Sequence, residues 1–184
     1  MIKLTLRTAV AAVAMIAVAP IASAQSNPRV GGAAMYANKT IVDNAVNSKD
    51  HTTLVAAVKA ADLVPTLSGA GPFTVFAPTN AAFAKLPAGT VDTLVMPENK
   101  ATLTGILTYH VVAGTMTSKQ IAAAIKAGGG TATLTTVQGE PLKASMMRGK
   151  LMLTDAKGGM STVTIKDVMQ SNGVIHVIDT VLMP

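Results

Sequence analysis

The chain has 184 residues, 49% of them hydrophobic, with 15 basic residues against 9 acidic ones and no cysteine. Without cysteine there is neither a disulfide framework nor a lipidated N-terminal cysteine, so stability must come from the core alone. The charge of +6 is scattered, with no basic run and only 3% aromatic residues, which argues against nucleic-acid recognition and leaves general attraction to anionic surfaces.

Residues 1–24 read as a secretory signal. Lys3 and Arg7 form a positive start, Thr8 to Ala19 is apolar but too short to span a bilayer, and Ala22-Ser-Ala24 offers a cleavage site. Cutting after Ala24 removes 24 of the 184 residues and leaves 160, enough for one core. It also removes Lys3 and Arg7, leaving 13 basic and 9 acidic residues and a charge of +4. No later stretch is apolar for long enough to be a membrane span. The expected location is therefore secreted or periplasmic. Residues 25–36, with Pro28 and Gly31-Gly32, predict a linker that is mobile or lies across the domain as an arm. The domain proper is set at 37–184.

The first half of that domain is helical in pattern. Ile41, Val42, Ala45 and Val46 share one helical face. Leu54, Val55, Val58 and Ala61 form another stripe, with Asp50 as its N-cap and His51 in the preceding loop. Phe73 to Ala77 predicts a short buried strand, and Thr79 the N-cap of a turn through Phe83. Leu103, Ile106 and Leu107 mark a helix that can begin at Pro97 and run into a strand from Tyr109 to Val112. Ser118 is placed as the cap of a helix carrying Ile121 and Ile125, ended by Gly128-Gly-Gly130.

The second half changes to a period of two. A two-residue turn at Arg148-Gly149 pairs Met147 with Lys150, Met146 with Leu151 and Ala144 with Leu153. Val163 and Ile165 begin another strand. Val174 to Val181 is almost continuously apolar, as expected for a strand covered on both faces. Helices first and strands later, with little βαβ rhythm, predict an α+β fold.

Three separated segments carry a resemblance. Phe73-Thr-Val-Phe-Ala-Pro-Thr-Asn-Ala-Ala-Phe83, Leu107-Thr-Tyr-His-Val-Val112 and Asn172-Gly-Val-Ile-His-Val-Ile-Asp-Thr-Val-Leu-Met-Pro184 resemble, in this order, the signature segments and Tyr-His motif of the fasciclin-like (FAS1) domain. The resemblance implies a β-sandwich-like wedge with helices packed at one side. It also implies an extracytoplasmic interaction module for cell adhesion, extracellular matrix association or biofilm cohesion. Its partner would be a cell-surface or matrix component, protein or polysaccharide. Some FAS1-like proteins bind carotenoids, so a soluble carrier of an apolar small molecule is the alternative.

Candidate site residues follow from the same segments. The resemblance makes Tyr109-His110 part of an adhesion surface. The residues themselves favour a structural role, since in a strand the two side chains point to opposite faces and at most one faces fully inward. Phe73, Phe76, Pro78, Thr79, Asn80, Phe83, Gly173, His176 and Asp179 are read as architectural. FAS1 domains often carry Asp where this chain has Asn80, and the change keeps a short polar turn former. A cut after Ala24 leaves nine of the 11 methionines. Met146 is assigned to the core, whereas Met147 and Met152 fall on the outer hairpin face near Lys143 and Lys150 as an adaptable contact surface. His51, His110 and His176 are scattered with no carboxylate cluster, so neither metal nor cofactor is expected. Gly-x-Ser-x-Gly, His-Glu-x-x-His and phosphate-binding glycine motifs are absent, and catalysis is not expected. Sequence does not set the oligomeric state.

Overall fold

The structure, a computed structural model, describes residues 27–184; the signal segment expected at 1–24 lies outside the described residues. The arm folds back as a small ladder, Arg29–Val30 (β1) paired with Ala33–Ala34 (β2). Its turn is Gly31-Gly32, with φ of 58° and 79°, a conformation glycine adopts without penalty. Val30 and Met35 are buried, so the arm lies across the domain and contributes to its core.

Helices come next. Ile41–Ala45 (α1) opens on a capping box in which Thr40 Oγ1 accepts the Asp43 N–H and Asp43 Oδ2 accepts the Thr40 N–H. Val46, assigned to its buried face, is the C-cap and is 48% exposed. Thr52–Ala60 (α2) follows a 3-10 turn at Lys49–His51. Asp50 lies inside that turn rather than at the N-cap, and His51, expected in a loop, is buried. Val64–Ser68 (α3) is short, with Pro65 in its first turn. After Phe73–Pro78 (β3), Thr79 caps Asn80–Phe83 (α4) as expected, its Oγ1 accepting the Ala82 N–H at 3.2 Å. Thr90–Leu94 (α5) and a 3-10 turn at Pro97–Asn99 lead into Lys100–Tyr109 (α6). Val111–Ala113 (β4) is followed by Ser118–Ala127 (α7). The cap of α7 is Thr117, one residue before the expected Ser118, because Gln120 completes a capping box with it.

The remaining strands are Thr131–Thr135 (β5), Pro141–Met147 (β6), Lys150–Thr154 (β7), Met160–Gln170 (β8) and Gly173–Ile178 (β9). They complete one sheet of order β4-β3-β9-β8-β7-β6-β5, in which only β3 and β9 run parallel. The hairpin register is the expected one, Met147 opposite Lys150 and Ala144 opposite Leu153. Register shifts between Val163 and Val168 bend β8, so that residues 160–162 pair with β7 and residues 163–170 with β9. The bend curls the sheet until its ends meet: Val112 bridges Thr136, and the Val137 N–H donates to the Val111 carbonyl at 2.7 Å.

Curling separates two cores. Val75, Ala77, Ile175 and Val177 face the layer of α1, α2 and α6. Phe76, Ile178 and Leu182 face inward with Leu142, Ala144, Leu151 and Leu153, and Ile121 and Ile125 of α7 close that space. β3 and β9 therefore need apolar residues on both faces, which accounts for the run from Val174 to Ile178, buried throughout and apolar except for His176. Met146, assigned to the core by alternation, is 46% exposed. Its side of the hairpin is the inner one, but the tip projects past the filled space.

Candidate interaction surface

Where the two long signature segments meet, side chains with chemical potential are engaged in holding strands together. At Gly173 the backbone passes so close to Phe73 that a Cβ would collide with its carbonyl oxygen. Phe73 is half-buried at the start of the ladder, and Pro78 ends it opposite Ile178. Phe76 stacks on His176 with ring centroids 5.6 Å apart, and Phe83 is buried against the helix-side core. Asn80 clamps α4 to α2: its Oδ1 accepts the Thr53 N–H at 3.0 Å, while Nδ2 donates to the Lys49 carbonyl at 2.8 Å. Asp179 Oδ1 accepts the Thr162 N–H at 2.8 Å. Burial would raise the Asp179 pKa, but the Thr162 N–H, the Thr180 and Ser161 hydroxyls and nearby Lys85 together hold it below the usual carboxylate range.

Tyr109 and His110 end α6 instead of starting a strand. A helical step turns about 100° per residue rather than 180°, so both can face inward. Both are buried, at 0% and 3% exposure, and neither offers a surface to a partner. Tyr109 Oη donates to the Pro141 carbonyl at 3.0 Å and accepts the Ala156 N–H at 3.1 Å. His110 donates from Nδ1 to the Ile106 carbonyl at 2.8 Å and accepts the Leu182 N–H at Nε2, 3.0 Å away. These partners fix a neutral ring and tie the last residues to α6. Desolvation lowers the His110 pKa to about 4, against the opposing Ile106 carbonyl and Asp155.

His176 is held in the opposite tautomer, Nε2 donating to the Met116 carbonyl at 2.9 Å and Nδ1 accepting the Asp167 N–H at 3.3 Å. Burial lowers its pKa despite the Met116 carbonyl and Asp167. His51 bonds the Ser48 hydroxyl through Nδ1 at 2.8 Å, and its Nε2 has no hydrogen-bond partner. Burial lowers its pKa too; the neighbouring Ala77 backbone and Asp50 oppose the shift without reversing it. The three rings are kept neutral at separate places, and no group of three metal-ligating side chains comes together among the described residues.

The exposed candidates lie on the outer face of the curled sheet. Met147 is 49% exposed at the hairpin tip, and Met152 is half-buried with its sulfur accepting the Thr162 hydroxyl at 3.3 Å. By strand pairing they share that face with Thr131, Thr133, Lys143, Ser145, Lys150, Thr154, Met160 and Thr162. No helix among the described residues covers it, and no Asp or Glu stands in this set. The structure brings Met147 and Met152 onto one surface and places Tyr109-His110 on the far side of the sheet, inside the protein.

Asn172 is a positioning residue that sequence reasoning left unassigned. Its Oδ1 accepts the Ile41 N–H at 3.0 Å, and its Nδ2 donates to the Leu67 and Gly69 carbonyls at 2.8 and 2.9 Å. It thereby ties α1 and α3 to the start of β9. Its place beside the Gly that opens the last apolar strand was the only available signal.

The Fasciclin domain model matches residues 49–184. Protein sll1483 of Synechocystis is 48% identical over 169 residues, covering 92% of this chain and 87% of that one. The cell surface glycolipoprotein MPB83 of Mycobacterium bovis is 37% identical over 170 residues, covering 88% of this chain and 68% of its own. Among solved structures, a FAS1 domain pair from the insect cell adhesion molecule Fasciclin I superposes with a TM-score of 0.70 at 20% identity. That match covers 79% of this chain and 51% of the other, and it speaks to fold alone.

Proposed function

This chain belongs to the fasciclin domain family, and we propose that it is a non-enzymatic association module of the cell surface, periplasm or extracellular matrix. The observation that carries this reading is the uncovered sheet face. It combines adaptable methionines, hydroxyl groups and Lys143 with Lys150, and it lacks carboxylates. Such a surface fits a partner, protein or polysaccharide, that is itself anionic or polar with apolar patches. The similarity to MPB83, a cell surface glycolipoprotein, supports the placement. No helix among the described residues is long and apolar enough to cross a membrane.

The test is a deletion strain complemented with the parent gene or with Met147→Ser plus Met152→Ser. Loss of surface attachment or biofilm cohesion in the deletion strain, restored by the parent gene and not by the variant, is the expected result. Unchanged attachment on several surfaces after deletion would remove the reading. The carotenoid-carrier alternative has less support. The enclosed apolar cavity beside His110 and Leu107 measures about 40 Å³, far below the few hundred Å³ of ordinary ligand pockets, and the roomier groove beside α7 is rimmed by lysines that a neutral carotenoid does not use.

A further inference from the structure

A second surface feature lies at the hairpin tip but opens toward α7. Ser118, Lys119 and Ala122 of α7, the tip of the β6–β7 hairpin and the first half of β8 enclose a groove of about 470 Å³. That volume lies within the range of small-molecule sites, roughly 300–1,000 Å³. Its floor is apolar: Leu151 and Val163 are buried beneath it, Ala122 is half-buried, and Met146 stands 46% exposed at its side. This accounts for a methionine on the inner side of the hairpin that the core does not use.

The rim carries one sign of charge. Lys119, Lys150 and Lys166 line the groove, all three exposed, and no Asp or Glu lines it. The two salt bridges among the described residues, Lys85–Asp179 and Lys100–Asp62, leave these lysines out. The nearest carboxylate in sequence, Asp167, is turned to the start of α7, where it accepts the Ser118 N–H and hydroxyl.

The hydroxyl protons are committed elsewhere. Thr162 donates to the Met152 sulfur, Thr164 to the Val177 carbonyl and Ser118 to Asp167. No aromatic ring lines the groove. A sugar chain, which asks for many directed hydrogen bonds and a ring to stack on, is poorly served. An apolar floor under a cationic rim suits an anion with a hydrocarbon tail.

We propose that this groove binds a single-chain anionic amphiphile, with a long-chain carboxylate as the simplest case. The head pairs with the three ammonium groups while the tail lies against Met146, Leu151 and the lysine stems. This site goes beyond the association reading and does not depend on it.

The test is isothermal titration of the purified protein with dodecanoate below its micelle concentration. Acetate and dodecyltrimethylammonium serve as head-only and opposite-charge controls. One dodecanoate per chain, with neither control binding, is expected. Lys119→Glu with Lys166→Glu should weaken binding at least tenfold, and Met146→Ser severalfold, with melting temperatures unchanged because all three positions are exposed. No dodecanoate binding, equal binding of the cationic amphiphile, or affinity untouched by the lysine changes would each overturn the proposal. Because Met147, Met152, Lys143 and Lys150 are left intact, its failure is separable from failure of the attachment test.

Discussion

The junction of β3 and β9 and the tip of the β6–β7 hairpin belong to the same sheet, yet they use their residues in opposite ways. At the junction stand His176, Asn172 and Asp179, with Tyr109 and His110 close by, all of them groups that can do chemistry. Nearly every polar atom there is consumed by a backbone partner. At the tip stand methionines, lysines and threonines, which carry no catalytic promise but remain open to solvent. Reactive residue types are not evidence of a reactive site when their hydrogen bonds are already satisfied inside the fold. In this molecule the buried motif sets the architecture, and the plain surface stays exposed.

The most severe way to break the junction is Ile178→Asp. Ile178 is fully buried, opposite Pro78 of β3 and within the inner core that holds Leu142 and Leu153, and a carboxylate there has no partner. The expected cost exceeds about 4 kcal/mol, a large part of a typical domain's stability. The variant should be insoluble or lack a cooperative melt; normal melting would overturn the account of β9 as a strand covered on both faces. Asn172→Ala is the milder version. It strands the Ile41 N–H and two carbonyls in a buried place, and a loss of about 2–4 kcal/mol should appear as a lower urea midpoint.

Acid gives an independent probe of the same region. The His110 pKa falls from 6.5 in the unfolded chain to about 4 in the folded one, so between these values the unfolded state binds more protons. The stabilisation is complete above pH 6.5 and is lost as pH falls toward 4. At about 1.4 kcal/mol per unit, His110 alone accounts for roughly 3 kcal/mol. His51 and His176 are shifted downward as well and add with the same sign. Asp167 and Asp179 lie below their ordinary 3.8, so their contributions disappear at lower pH, outside this window. Urea midpoints measured from pH 7 to 4 should fall steadily, and His110→Gln should flatten the slope. A flat parent profile would mean that these rings are not held neutral.

Much of this architecture was legible because it is local or periodic. The Arg148-Gly149 turn, with φ of 50° and 77°, set the hairpin pairing residue by residue, and the apolar run after Gly173 announced a strand covered on both faces. What escaped depends on distant residues. The Tyr109-His110 error was a boundary error: nothing within Leu107 to Val112 says that the helix persists to Tyr109, and tertiary contacts to Pro141 and Leu182 decide it. Met146 obeyed alternation yet ended outside the core, because periodicity gives a side of the sheet and not how far the filling extends. The groove was invisible for the same reason. Its lysines come from α7, β7 and β8, and the β8 bulges spoil the period that would have placed Lys166.

The sharpest test of the comparison is also the one with the smallest effect on folding. Asn80→Asp keeps the acceptor for the Thr53 N–H and adds a negative charge near the start of α2, which the helix favours. It gives up the donor to the Lys49 carbonyl. Gain and loss are each about 1 kcal/mol or less, so the melting temperature should move by only a few degrees. Met147→Ser with Met152→Ser should move it less still, since Met147 is 49% exposed and Met152 lies on the outer face. If the tip is a contact surface, that double variant melts like the parent while attachment is lost. Should the double variant instead melt well below the parent, the outer methionines would be packing residues, and the division between a structural junction and a functional tip would fail.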